Sequence, residues 1–321
     1  ADGPQWTDLN DPALARELAD LAQSRDLPEI REEILGGWVT FAPLEPGLYV
    51  VTQQPHQATE GFDAIQPFLI SLPRWEDDGA PAHTVKKFGI VNRYDLQKEF
   101  PILTLRRTYW KTAVDELLWI WQKKSNRIAE LNSHVWDAWA DEQGTIGKAY
   151  GYQLSVKHHY PQGDMDQVDK VLWDLKSEVF FFFFFFFGEN HHDLNEMALY
   201  PCAYSMTFNV TGDTLNGILN QRSQDMLTAN NWNVVQYAVL THMMAQVSGL
   251  EVGEFVHVIA DCHIYDRHIP AVKAMLEREG FDAPTFVMDK NITDFYDFTK
   301  DSFKMEGYQY HPFDFEIPMA I

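Results

Sequence analysis

The chain holds two cysteines, and one of them, Cys202, follows a proline in the run LNEMALYPCAY. Further along, the run QRSQD sets Arg222, Ser223 and Asp225 close together. A thiol titrates near pH ~8.5, so sulfur attack at neutrality requires a positive charge or hydrogen-bond donors beside it. A guanidinium such as that of Arg222 can supply both and can also hold a phosphate. The pair is therefore a candidate nucleophile and anion clamp. Taken alone, such a cysteine is more often a buried small hydrophobe, and an isolated arginine is usually a solvated surface residue.

The two cysteines are too few for a disulfide framework and lack zinc-site spacing, which fits a reducing compartment. The chain is 321 residues long, 45% hydrophobic and 22% charged, a profile that predicts a globular protein with a substantial core. A net charge of −22 argues against broad contact with nucleic acid or an anionic membrane, while leaving room for a small anion held by local arginines. The first residues, ADGPQWTDLND, lack a basic segment followed by an apolar one, and the longest apolar run is far short of a bilayer span of roughly 20 residues. A cytoplasmic protein is expected.

The elements that must position these residues read as α+β. Asp11 and Pro12 open a helix with Leu14, Leu18 and Leu21 at helical spacing, followed by glycine- and proline-punctuated short strands such as LYVV. Trp110, Val114, Leu117, Leu118 and Trp121 predict a helix over 110–121, and a second runs from about Asn233 to Val247, ending near Gly249. YSMTFNV, a Thr-Gly-Asp turn and TLNGILNQRS predict a hairpin in a mainly antiparallel or mixed sheet. No glycine-rich strand-to-helix loop or GxxxxGK[ST] motif is present. Phe180–Phe187 puts rings on both faces of any strand. The run reads as a wholly buried strand or as uncertain residue identity.

Several blocks in order carry a specific resemblance: DGAPAHT, FPILTLRRTYWKTAVDELLWIWQ, HVWDAWADEQGTIGKAYGYQ, LNEMALYPC, QRSQD, DCHIYDRHI, DFYDF and the closing PMAI. Over about three quarters of the chain it resembles the thymidylate synthase family, and within it the Bacillus-type branch. The resemblance implies an α+β fold of thymidylate-synthase type whose mixed or antiparallel sheet forms a homodimer interface. It divides the chain into an N-terminal extension over residues 1–70 with no assigned role and a catalytic domain over 71–321. It further implies reductive methylation of dUMP to dTMP, with methylenetetrahydrofolate as co-substrate and no metal.

By that resemblance Cys202 is the nucleophile that adds to the pyrimidine ring, and Asn233 reads the base, since an amide can donate to one ring atom and accept from another. Glu116 is the buried carboxylate that organises proton movement, with Tyr150 a relay beside it. His263 and Tyr265 bind the sugar. Asp225 bonds the folate pterin, Trp136 and Trp139 line its pocket, and Trp136 shields the intermediate from water. Arg106 stands at the folate-tail position, where a lysine is usual. Ile321 ends a tail expected to close over the ligands.

Four phosphate-binding arginines are implied. Arg222 matches one, supported by Ser223; Leu72 stands at the second, with Arg74 nearby; the two lent by a partner subunit fall within Phe180–Phe187. Thr228, Ala229, Asn230 and Asn231 replace the usual Leu-Gly-x-Pro turn. The alternatives are a pyrimidine nucleotide 5-hydroxymethylase of the same family and a non-catalytic nucleotide- or folate-binding relative. A cysteine hydrolase would need His242 or His263 as its base and has no local motif.

Overall fold

The computed structural model describes residues 12–25, 27, 29–30, 47–52, 68–72, 74–75, 81–177, 183–186, 191–315 and 317. They divide between a unit of Ala1–His83 with Pro318–Ile321 and a unit of Thr84–Ile317.

In the first unit, α1 (Pro12–Ser24) packs on an antiparallel pair, β1 (Gly47–Val51) and β2 (Phe68–Leu72). The sequence sets Leu14, Leu18 and Leu21 at helical spacing on a helix expected to pack on a neighbour. Ala15 and Ala19 are buried, Leu18 is half-buried and Leu21 is exposed, while the side chain of Leu14 lies outside the described residues. Small side chains at those two positions let the helix backbone approach its neighbours. Two short strands, β3 (Arg74–Trp75) and β4 (Pro81–Ala82), pair antiparallel, with Arg74 opposite Ala82.

The second unit is built on a five-stranded sheet. Its members are β5 (Thr84–Asp95), β8 (Phe183–Phe186), β9 (Ala203–Thr211), β10 (Thr214–Asp225) and β11 (Glu251–Tyr265), in the order β5-β11-β10-β9-β8. The predicted hairpin is β9–β10, joined through Gly212 and Asp213, with Gly212 at φ +67° as a two-residue loop requires. Strands β10 and β11 are parallel and the other pairs antiparallel, so the sheet is mixed. A parallel pair needs a crossover, and α5 (Asn230–Val247) provides it. Phe183–Phe186 is one of the two edge strands, β5 being the other; Phe180–Phe182 and Phe187 lie outside the described residues.

Helix α5 is buried almost all round, as expected of a helix with no polar face. It packs on α2 (Trp110–Trp121), which carries a wide apolar stripe, and on β10 and β11. Its start at Asn230 precedes the predicted one. Asn231 anchors the added turn: its Oδ1 accepts from Leu103 N (2.9 Å) and Thr108 Oγ1 (2.6 Å), and its Nδ2 donates to the Pro101 carbonyl. Trp119 and Trp121 are fully buried, each side chain contributing roughly 1.5–3 kcal/mol. Around this core lie α3 (Gly151–Ser155), the hairpin β6 (His158–Tyr160) and β7 (Gly163–Met165), α4 (Gln167–Lys176), α6 (Ile269–Leu276) and the pair β12 (Thr285–Met288) and β13 (Phe303–Glu306).

Candidate active site

The α2 stripe that buries Leu117 and Leu118 also buries Glu116, which is only 6% exposed. A carboxylate so placed must be hydrogen-bonded, and three donors converge on it. Trp136 Nε1 donates to Oε1 at 2.5 Å, while Trp232 Nε1 and Gln236 Nε2 (2.7 Å) donate to Oε2. Burial pushes the Glu116 pKa above the usual carboxylate range, opposed by those three donors.

Gln236 continues the network. Its Oε1 accepts from Asn233 Nδ2 at 3.1 Å, and Asn233 Oδ1 accepts from Gln221 Nε2 at 3.1 Å. Trp232, Asn233 and Gln236 come from the first turns of α5, where a residue and those three or four positions on share a face. Sequence reasoning singled out Glu116, Asn233 and Trp136 but missed Trp232, Gln236 and Gln221. The signal for Gln236 was its place three residues after Asn233 in an apolar helix.

Cys202 lies immediately before β9, half-buried. Its backbone N–H donates to the Tyr150 hydroxyl at 3.1 Å, and Arg222 Nη2 lies 3.8 Å from its sulfur. Arg222 is fixed beside the thiol by donating from Nη2 to the Tyr200 carbonyl (3.1 Å) and from Nε to the Pro201 carbonyl (3.4 Å). Tyr150 has φ +43°, an uncommon conformation for a bulky residue. Next to it, a Cβ on Gly151 would sit 2.2 Å from the Ser125 carbonyl oxygen, so only glycine lets the chain pass there. Burial pushes the Tyr150 hydroxyl well above its ordinary pKa, and the neighbouring Cys202 adds to the shift. The Trp136 ring lies 5.5 Å from that of Tyr150 and 5.6 Å from that of Trp139.

Parallel pairing of β10 with β11 sets Ser223 opposite Asp261 and Asp225 opposite His263, joining the QRSQD and DCHIY motifs. His263 is buried, with its ring 5.3 Å from that of Tyr265. Asp225 accepts from Leu227 N (2.9 Å), Thr228 N (3.3 Å) and the Thr228 hydroxyl, so the altered turn after β10 engages this carboxylate directly. The Arg106 guanidinium donates to the Leu227 carbonyl, and burial lowers its pKa. Arg74 belongs to the other unit; its side chain and Ile321 lie outside the described residues. His242 is stacked with Phe100 and tilted against Phe286, an enclosure suited to a neutral imidazole rather than a hydrolase base. Among the described residues, no group of three or more His, Cys, Asp or Glu is placed to hold a metal ion, and no helix is long and apolar enough to cross a membrane.

Comparison with known proteins agrees with this geometry. The family model described as Thymidylate synthase matches residues 71–321. Thymidylate synthase 1 of Bacillus spizizenii and thymidylate synthase of Bacillus phage phi3T are each 45% identical over 241 residues, covering 74% of this chain and 86% of theirs. The solved structure of thermostable thymidylate synthase A from Bacillus subtilis superposes with a TM-score of 0.73 at 43% identity, covering 77% of this chain and 90% of that one. On this coverage and identity, the chain belongs to the thymidylate synthase family and to its Bacillus-type branch.

Proposed function

We infer that the chain converts dUMP to dTMP through a covalent adduct on Cys202, with residues 71–321 as its catalytic domain. The observation that carries this reading is Asn233, which shares one hydrogen-bonded chain with the buried Glu116. Its two protein hydrogen bonds leave one N–H and one oxygen lone pair for a ligand, the complement of the O4 and N3–H edge of uracil.

Arg222 stabilises the Cys202 thiolate for addition to the ring and is the leading phosphate ligand, with Ser223 beside it and Arg74 a second candidate. Addition places negative charge on the ring oxygen and the adjacent carbon, and Glu116 with its donors governs proton movement at that oxygen. Tyr150, bonded to the Cys202 backbone, fixes the thiol's approach and serves the later proton removal. His263 and Tyr265 hold the sugar.

Methylenetetrahydrofolate supplies the one-carbon unit and the hydride. The paired indoles of Trp136 and Trp139 suit a flat heterocycle, with Asp225 and Arg106 as its polar contacts. Trp136 also bonds Glu116, which holds the indole over the reacting face and excludes water. The PMAI tail ending at Ile321 closes the site, and its removal should lower turnover while sparing the fold.

A cytoplasmic homodimer completes the reading. Val85, Phe88 and Val91 of β5, an edge strand of the sheet, are 62%, 77% and 57% exposed, apolar side chains that a second copy would cover. Sedimentation at micromolar concentration should report twice the chain mass. Residues 1–70 form an extension of unassigned role.

The deciding experiment incubates the protein with dUMP and methylenetetrahydrofolate, following dihydrofolate absorbance and the nucleotide's mass, with Cys202→Ser as control. Equal amounts of dTMP and dihydrofolate are expected. A hydroxymethyl nucleotide without dihydrofolate would select the hydroxymethylase reading instead. No product from uracil or cytosine nucleotides would select a ligand-binding relative.

A further inference from the structure

An asparagine amide is almost symmetric in shape. Turned over about its terminal bond, it would offer its oxygen to the cytosine amino group and its N–H to cytosine N3, instead of reading uracil. Asn233 discriminates between the bases only if its orientation is fixed. The groups that fix it form a chain running from Glu116 to a residue on the far side of Asn233.

Each link has a direction. Gln236 Nε2 donates to the Ala113 carbonyl at 3.0 Å, an oxygen that can only accept, and to Glu116. Its Oε1 must therefore face Asn233 Nδ2. On the other side, Gln221 Nε2 donates to the Ser223 carbonyl (3.2 Å) and to Asn233 Oδ1, which turns Gln221 Oε1 toward β11. There His257 Nε2 lies 2.7 Å from Gln221 Oε1. Since that oxygen accepts, the imidazole must carry its proton on Nε2 and donate.

His257 is fully buried, and its ring is stacked with Phe255 at 6.1 Å. Burial lowers its pKa to about 4, so it is neutral at working pH and present as a single-donor tautomer. Gln221 is itself only 2% exposed, leaving its carbonyl oxygen no ready access to water as a substitute donor.

We propose that His257 is a positioning residue for base discrimination: its Nε2–H locks Gln221, and Gln221 locks the Asn233 amide in the orientation that reads uracil. This rests on the inferred role of Asn233. His257 touches no ligand and acts only through Gln221.

The test compares wild type, His257→Phe, His257→Gln and Gln221→Met for dUMP KM, kcat, the dUMP-to-dCMP preference in kcat/KM, and Tm. His257→Phe keeps an aromatic ring and removes the donor. It should raise the dUMP KM and lower the preference about tenfold each, the scale of one buried hydrogen bond. Glutamine at 257 places an N–H at a reach close to that of Nε2, and should restore both. Gln221→Met should reproduce the loss, and combining it with His257→Phe should add little, because both break the same chain.

A folded His257→Phe with wild-type KM and preference overturns the proposal while dUMP methylation stands. So does a folded His257→Gln that has lost the preference, which also decides the matter should His257→Phe fail to fold. A wild type that does not turn over dUMP overturns the underlying reading instead.

Discussion

The two sides of the candidate site are built differently. On the Glu116 side every link is made by the protein: a buried carboxylate, three donors and a run of oriented amides. On the Cys202 side the residue is half-buried, with the Arg222 guanidinium beside its sulfur and a backbone bond to Tyr150. The difference follows from what each must do. A group that reads a base needs its orientation set before the ligand arrives, because an unfixed amide would accept the wrong partner. A nucleophile must reach a carbon, form a bond and leave it, so its surroundings must stabilise charge without enclosing the sulfur.

The sharpest way to separate the two sides is Cys202→Ser. Removing the thiol should lower turnover on the order of 10⁴-fold or more, since the covalent step has no substitute. Because Cys202 is only half-buried and serine is close to it in size, stability should move by less than about 1 kcal/mol. Thermal melts run beside the turnover assay check both. A large drop in Tm would mean that the mouth of the site is as structural as its wall, and the contrast would fail.

Glu116→Gln attacks the other side. An amide in place of the carboxylate turns an N–H against one of the three converging donors, so the variant should lose both activity and stability. Turnover should fall about 10²- to 10³-fold, and urea unfolding should show a loss of about 1–3 kcal/mol from the buried polar mismatch. Loss of turnover at wild-type stability would show that the wall relaxes around an amide.

Gly151→Ala tests how the two sides are joined. The new Cβ would meet Ser125 backbone atoms at 2.2 and 2.6 Å, and backbone cannot swing aside as a flexible side chain can. The chain must shift at Tyr150, the residue that touches both Cys202 and the Trp136 ring. A stability loss of about 1–3 kcal/mol is expected, as for other overpacked sites. Turnover at permissive temperature should fall as well. Stability loss with unchanged kcat would mean that Tyr150 keeps its place independently of the turn.

The same contrast explains what the sequence made legible. Glu116, Asn233, Cys202 and Arg222 stand in blocks whose order carries a family resemblance, and the two helices bearing the first two show their apolar period plainly. Gln236 was within reach of helical spacing from Asn233. Gln221 and His257 were not, because only the parallel register of β10 on β11 and the crossover of α5 bring them together, and long-range pairing leaves no local mark. In α1, the leucine period showed the helix, while the buried positions Ala15 and Ala19 carry the smallest apolar side chains. Close packing favours small residues, and hydrophobicity alone does not reveal it. The turn at Thr228 showed in the sequence only as a departure from the usual Leu-Gly-x-Pro, and in the fold its hydroxyl bonds Asp225.

The smallest effect expected concerns the scaffold behind the wall. On α5, nine residues beyond Asn233, His242 packs against Phe100 and Phe286, and burial lowers its pKa to about 4. In the unfolded chain an imidazole titrates near 6.5, so between pH 6.5 and 4 the unfolded state binds the proton that the folded state refuses. Stability from this group is therefore complete above pH 6.5 and is lost as pH falls toward 4, by about 2 kcal/mol at pH 5. His257 acts in the same direction. His242→Phe keeps a ring between the two phenylalanines and removes the titration, so its unfolding free energy should vary less between pH 7.5 and 5 than that of the wild type. Its kcat at pH 7.5 should be unchanged, since His242 makes no link in the chain from Glu116 to His257. A variant with the wild-type pH slope would assign the acid sensitivity to His257 and the carboxylates, and would place it in the wall itself.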